Sequence, residues 1–254
     1  MCKLKVSAII PALNEEESIA RVLGAIDRNL VQEVIVVDNG SSDGTAAVAD
    51  RCGARVVREE RRGYGRACLA GMRELTNPDI VVFLDGDNSD HPDRIAELIE
   101  PILADRADFV VGSRTLGSAE KGALSLAQRW GNRLAAALLN RLFPVKFTDL
   151  GPFRAVRWDV LQSLDMQDKS YGWTVEMQIK AAFQGRRVLE VPTPYRKRHA
   201  GKSKVSGDVR GVILASTYIL FYIVAAAWQS LRARFQIPPR FVARPPASKV
   251  SPRP

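Results

Sequence analysis

The chain has 254 residues, 46% of them hydrophobic and 26% charged, with a formal net charge of +9. This composition fits one large globular domain with an appendage and excludes collagen-like, coiled-coil and wholly disordered chains. Cys2, Cys52 and Cys68 lack paired spacing and the two histidines lie far apart in sequence, which argues against a disulfide framework or a zinc site and for a reducing compartment. The charge is unevenly placed, because residues 196–254 hold twelve Lys and Arg against one acid, Asp208. A basic excess that starts late and brackets an apolar run suits an anionic membrane surface or a phosphate ligand better than nucleic acid, whose binders usually carry the basic patch on the folded domain. The first apolar stretch, Val6-Ser7-Ala8-Ile9-Ile10, is too short for a secretory signal, so a cytoplasm-facing protein is expected.

In chain order, Val- and Ile-rich runs at 5–10, 33–38, 54–58, 79–84 and 108–112 predict buried parallel strands. Helical spacing fills the gaps at 15–28, 43–51, 65–75 and 91–103. This alternation predicts an α/β fold with an open, mostly parallel sheet flanked by helices, whose ligands bind beyond the carboxyl ends of the strands. Farther on, a helix is expected over 121–143, an extended segment over 148–156, a helix over 171–183 and a late strand over 187–191. Residues 212–228 form a seventeen-residue uncharged run between Arg210 and Arg232. Bilayer spans need about 17–25 apolar residues. Three readings of this C-terminal apolar helix stand: it lies in the membrane interface, it spans marginally, or it packs on the catalytic domain or in a homo-oligomer. The last nineteen residues, 236–254, have six prolines, four bases and no acid, which predicts a disordered tail. The expected division is a catalytic domain at 1–207, a membrane-associating helix at 208–235, and the tail.

The strand ends carry the unusual residues. Asp85-Gly86-Asp87 follows an apolar run, and two carboxylates separated by a glycine there make a natural site for Mg²⁺ or Mn²⁺, which take oxygen ligands and are often completed by substrate phosphates. Asp38 ends the second strand, where a carboxylate can accept from a ribose or a base edge. Asp43 suits the start of the next helix. No G-x-G-x-x-G follows the first strand and no G-x-x-x-x-G-K-[ST] occurs, which removes the usual dinucleotide and P-loop cradles.

Together, Ile10-Pro11-Ala12-Leu13-Asn14-Glu15, Val37-Asp38-Asn39-Gly40-Ser41-Ser42-Asp43-Gly44 and Leu84-Asp85-Gly86-Asp87 resemble the family 2 glycosyltransferases with the GT-A fold. Gly112-Ser113-Arg114 and Arg198-His199-Ala200-Gly201-Lys202-Ser203-Lys204 resemble the polyprenyl-phosphate (dolichol-phosphate) mannosyl- and glucosyltransferase branch. The resemblance covers residues 5–210. It implies that Pro11, Asn14 and Glu15 line the nucleotide pocket, that Asp38 holds base or ribose, that Asp85 sits near ribose and metal, and that Asp87 ligates the ion on the diphosphate. It also places Arg114 at the phosphates, Arg198, Ser203 and Lys204 on a loop closing over donor and acceptor, and Gly63-Tyr64-Gly65-Arg66-Ala67 near the nucleotide. Many relatives carry a glutamine where this chain has Ser89; Asp90 is the neighbouring substitute.

A lipid phosphate acceptor is already ionised and needs no strong base, whereas a hydroxyl acceptor does. The base candidates are Asp149 and Glu176. The expected activity is therefore metal-dependent sugar transfer from a GDP- or UDP-sugar to a polyprenyl phosphate at the cytoplasmic membrane face. The alternatives are transfer to a soluble or glycan hydroxyl, a small phosphorylated acid included, or a non-catalytic sugar-nucleotide binder.

Overall fold

A computed structural model describes residues 4–143 and 145–200. The apolar run at 212–228, the Pro-rich tail, Ser203 and Lys204 lie outside the described residues. The elements run β1 (Val6–Ala12), α1 (Glu16–Gly24), β2 (Glu33–Asp38), α2 (Thr45–Arg51), β3 (Arg55–Arg58), α3 (Tyr64–Arg73), β4 (Ile80–Phe83), α4 (Ile95–Leu103), β5 (Phe109–Ser113), α5 (Leu126–Leu142), β6 (Arg154–Arg157), α6 (Trp158–Ser163), α7 (Trp173–Phe183) and β7 (Val188–Pro192). The seven strands form one sheet in the order β3-β2-β1-β4-β6-β5-β7. All neighbouring pairs are parallel except those of β6, which runs antiparallel to both β4 and β5.

The apolar runs are strands because both of their faces are buried. Along β1, Val6, Ala8, Ile10 and Ala12 face one core while Ile9 faces the other, and along β4 Ile80 and Val82 oppose Val81 and Phe83. The first core is closed by Ile19, Val22 and Leu23 of α1, Ala49 of α2, and Ile95, Leu98, Ile99 and Ile102 of α4. The second is closed by Ala67, Cys68 and Ala70 of α3, Val160 and Leu161 of α6, and Trp173, Met177 and Ala181 of α7. A third cluster joins Ala135 and Leu139 of α5 to Val175 and Ile179 of α7 through Phe147 and Leu150. Among the described residues no helix is long and apolar enough to cross a membrane.

Three local expectations differ from the structure. The extended segment at 148–156 becomes a strand only at Arg154, and α6 was not foreseen. Helix α5 starts at Leu126 rather than at 121, where a capping box on Ser125 fixes its first turn. The sequence reads Cys52 and Cys68 as small helix-packing residues; Cys68 is buried in α3, but Cys52 is exposed just past the end of α2.

Candidate active site

The carboxyl ends of β1, β2 and β4 meet around a cavity of about 530 Å³. Pro11, Glu15, Asp85, Asp87, Arg114 and Arg198 all line it. Asn14 and Asp38, expected at the nucleotide, are not among its lining residues. Asn14 adopts a left-handed backbone (φ 52°) and ties the first turn to the second, its Oδ1 accepting the Ser42 N–H at 2.8 Å. The Asp38 carboxylate accepts the Ser41 N–H at 3.0 Å. Asp43 precedes the cap position of α2 and still serves that helix start, accepting the Thr45 N–H at 3.0 Å.

The turn after β4 gathers three acids, Asp87 and Asp90 buried and Asp85 half-buried at the cavity wall. An acidic turn is expected to face solvent, yet Asp87 is only 6% exposed. Its burial follows from a basic strap laid over it. Arg196 donates to the carbonyls of Asn88 (2.8 Å) and Asp90 (3.2 Å), and the His199 N–H donates to the Asp87 carbonyl at 3.2 Å. The Arg198 guanidinium then bridges Glu15 at 2.7 Å and Asp87 at 2.9 Å. Burial pushes the Asp85 carboxyl well above the usual carboxylate range, and the charges of Asp87 and Asp90 push it further. Asp90 is pushed up to about 7, first by burial and then by Asp87. Glu15 is raised by burial, against the pull of Arg198.

These residues fit a hard divalent cation. Asp85 Oδ1 is buried with no hydrogen-bond partner, and a second carboxylate, Asp87, stands two residues on. Among the described residues no cluster of three or more Cys, His, Asp or Glu could hold an ion alone. The carboxylate pair Asp85 and Asp87 suits Mg²⁺ or Mn²⁺, which need one or two carboxylates when substrate phosphates and water complete the shell.

On the opposite wall, Arg114 follows β5 and is gripped by Asp149. Its Nε and Nη2 donate to the carboxylate at 2.8 and 2.6 Å, and its backbone N–H adds a third bond at 2.7 Å. Asp149 is 1% exposed. The Tyr195 ring lies 5.0 Å from the guanidinium carbon, and the Asp149 charge holds Arg114 protonated despite burial. Glu176, the other base candidate, is buried and committed to structure. It accepts the N–H groups of Gln167 and Asp168 at 2.9 and 2.8 Å and pairs with Lys180 at 2.8 Å.

Asn39, Arg62 and Glu190 carried no role in the sequence expectations, whereas Gly63 and Tyr64 stand at the cavity as the family resemblance implied. Asn39 clamps the loop after β3, donating to the carbonyls of Glu59 and Arg61 and accepting the Gly63 N–H at 2.8 Å. That loop supplies Arg62, Gly63 and Tyr64 to the cavity. Gly65 presses on the 168–169 turn so closely that a Cβ would lie 2.1 Å from the Asp168 carbonyl oxygen. Glu190, an acid inside β7, accepts the N–H groups of Thr148 and Asp149 at 2.8 and 3.2 Å and so sets the segment that holds Arg114. An acid within a short apolar strand is the one signal that marked it.

Comparison with known proteins follows the same lines. The family model "Glycosyl transferase family 2" matches residues 7–165. An uncharacterized glycosyltransferase of Mycobacterium tuberculosis is 40% identical over 220 residues, covering 83% of this chain and 94% of that protein. The undecaprenyl-phosphate mannosyltransferase of Micrococcus luteus is 32% identical over 91% of this chain and 99% of its own length. Among solved structures, glucosyl-3-phosphoglycerate synthase of M. tuberculosis, in complex with Mn²⁺, UDP-glucose and phosphoglyceric acid, superposes with a TM-score of 0.71 at 26% identity, over 89% of this chain and 80% of that one. The chain belongs to glycosyl transferase family 2, is a glycosyltransferase of GT-A-like fold, and falls on the branch of the polyprenyl-phosphate sugar transferases.

Proposed function

We propose that the chain moves a sugar from a UDP- or GDP-linked donor to an isoprenoid lipid phosphate at the cytoplasmic face of a membrane. The observation carrying this reading is the division of charges around the cavity. Three guanidinium groups, Arg62, Arg114 and Arg198, line it, while the base candidates Asp149 and Glu176 are engaged elsewhere. Both Asp149 oxygens accept from Arg114, and both Glu176 oxygens accept backbone N–H groups. A phosphate acceptor needs neither, since its oxygen is ionised before it attacks.

In the proposed reaction that oxygen bonds to the anomeric carbon and the bond from this carbon to the donor diphosphate breaks. The nucleoside diphosphate leaves with the electron pair, and no proton moves. Pro11, Asn14, Glu15 and Asp38 form the nucleoside end, with Asp85 beside the ribose and Asp87. Asp85 and Asp87 would hold Mg²⁺ or Mn²⁺, whose charge would stabilise the departing diphosphate. Arg198, with Ser203 and Lys204 beyond the described residues, draws in the phosphates. Arg114 faces the acceptor phosphate as a fixed donor, and Asp149 acts by holding it there.

Transfer to a small soluble phosphorylated acid is the second reading, favoured by the likeness to the glucosyl-3-phosphoglycerate synthase complex. The test is incubation of the full chain in detergent with labelled UDP- and GDP-sugars, Mg²⁺ or Mn²⁺, and either polyprenyl phosphate or phosphoglycerate. Label extracted into organic solvent and released by mild acid supports the lipid acceptor. Label confined to the water-soluble acceptor would replace it with the second reading.

A further inference from the structure

Arg114 is held more firmly than its charge alone requires. A guanidinium carries five N–H donors in a rigid plane, and Asp149 takes two of them, Nε at 2.8 Å and Nη2 at 2.6 Å. Two further groups lie against that plane. The Tyr195 ring centre is 5.0 Å from the guanidinium carbon, and a Cβ on Gly151 would stand 3.2 Å from Nε and 3.4 Å from Cζ. Both groups are fixed in turn. The Tyr195 N–H donates to the Ser118 carbonyl at 2.9 Å, and its carbonyl accepts the Glu120 N–H at 2.8 Å. The Gly151 carbonyl accepts from the fully buried Arg154. What remains free is the far end of the fork. Nη1 has no hydrogen-bond partner among the described residues, and Arg114 lines the cavity. One Nη1 hydrogen and the second Nη2 hydrogen run parallel there, a donor pair fitted to two oxygens of one anion.

We propose that Tyr195 and Gly151 set acceptor specificity: with Asp149 they seat the Arg114 fork so that it grips two oxygens of a phosphate monoester and leaves the third free to react. This rests on the reading that Arg114 faces the acceptor. Counting oxygens defines the substrate class. A phosphate monoester has three terminal oxygens, so two can be held while the third bonds to the anomeric carbon and the nucleoside diphosphate leaves with the electron pair. A carboxylate or a phosphodiester has two, and a fork that holds both leaves none to attack. A hydroxyl offers one oxygen to two donors. Because Asp149 already balances the Arg114 charge at 2.6 Å, the seat contributes orientation rather than net charge, and orientation is what the ring and the missing Cβ preserve. A lysine ammonium, a point charge without a plane, would gain nothing from such a seat. Lipid-linked and soluble phosphate monoesters share this chemistry.

The experiment uses the full chain in detergent with labelled UDP- and GDP-sugars, Mn²⁺, and one of three acceptors: a short-chain polyprenyl phosphate, phosphoglycerate, or the matching polyprenol. Donor and acceptor KM are measured separately, and calorimetry with UDP and GDP in Mn²⁺ reports the nucleotide site. Tyr195→Leu and Gly151→Ala should each raise the acceptor KM about tenfold, part of the roughly hundredfold that a 1 Å misplacement can cost, while nucleotide binding stays as in the wild type. Tyr195→Phe, which keeps the ring, should recover most of the acceptor affinity lost in Tyr195→Leu. Arg114→Lys should lose at least as much as Tyr195→Leu. This pattern with either phosphate supports the seat, and the phosphate that is glycosylated shows whether the acceptor is lipid-linked or soluble. An acceptor KM unmoved by Tyr195→Leu and Gly151→Ala, or retained in Arg114→Lys, would overturn the seat and leave the phosphate acceptor standing. Equal losses on the donor and acceptor sides would make both residues structural and overturn it as well. Transfer to polyprenol and to neither phosphate would remove the acceptor reading of Arg114, and the seat with it.

Discussion

Asp149→Asn separates a positioning carboxylate from a general base. An asparagine can keep an oxygen where Asp149 Oδ2 accepts the Arg114 backbone N–H and Nε, at 2.7 and 2.8 Å. Its amide nitrogen then stands where Oδ1 accepted Nη2 at 2.6 Å, donor against donor, beside a guanidinium that has lost its counter-charge. Breaking a buried ion pair from one side costs about 3–5 kcal/mol. The lower end applies here, because Arg114 keeps 15% side-chain exposure and its contact with the Tyr195 ring. A loss of about 3 kcal/mol moves a urea midpoint by roughly 1–3 M at the m-values of small proteins. The double variant Arg114→Met/Asp149→Leu, which removes both charges, should regain most of that stability and remain inactive. Circular dichroism in urea gives the stabilities, and initial rates across pH give the role. The expected result is a turnover loss with the shape of the pH profile unchanged. A destabilisation below about 1 kcal/mol, joined to disappearance of the acidic limb of the profile, would refute the reasoning and restore Asp149 as a base.

Asp87→Ala should abolish turnover at any Mn²⁺ concentration while thermal unfolding moves by only a few degrees (roughly 2–4 °C per kcal/mol), since the lost contacts to Ser89 and Arg198 are offset by relief of repulsion with Asp85. Turnover surviving in this variant would remove Asp87 from the site. Arg198→Gln frees Asp87 and Glu15 of their internal cation, so nucleotide-free protein should bind Mn²⁺ more tightly by paramagnetic resonance titration even as turnover falls; unchanged or weaker binding would count against the pairing. Native Asp90 keeps its proton to about pH 7, whereas the unfolded carboxyl releases it near 3.8. Its contribution to metal-free stability is therefore full below pH 3.8 and lost as pH rises through 7. Asp90→Asn should flatten that slope in urea melts between pH 4 and 8, and an unaltered slope would assign it to other groups. Gly65→Ala drives a methyl into the Asp168 carbonyl and should cost about 1–3 kcal/mol in urea melts, together with weaker nucleotide binding; a neutral outcome would deny the close approach.

Strands β1, β2, β4 and β5 were legible within a residue or two because each buries both faces and so reads as a largely apolar run, while the edge strand β3 showed only as a pair of valines between two exposed arginines. Strand β6 was not legible. Between Phe147 and Leu150 the backbone bonds to Asn140, Glu190 and Asn132 side chains instead of a neighbouring strand, so an extended run there is not sheet. Within β6 itself, Arg154 is fully buried, held by the carbonyls of Thr174 and Gly151 and lying over the Phe109 ring. A charge in the middle of a sheet does not announce a strand. The same limit applies at the site. The acidic turn and the basic loop were each visible, but the clasp of Arg198 on Glu15 and Asp87 joins positions 183 residues apart for Glu15, a pairing only the fold decides.

The antiparallel strand at the middle of the sheet sets a timetable for synthesis. Strands β3, β2, β1 and β4 can assemble as soon as β4 emerges, but the partner for the open side of β4 is Arg154–Arg157, roughly 70 residues later. At ribosomal speeds of about 5–20 residues per second, that side waits roughly 4–14 s. Throughout, Ile80–Phe83 presents unpaired N–H and C=O groups on four consecutive apolar residues, the kind of edge that recruits other chains. Strand β6 then does more than fill a gap: its four residues, arginine at each end, join β4 to β5, and β7 can complete the sheet on the far side of β5 only after it has emerged in turn.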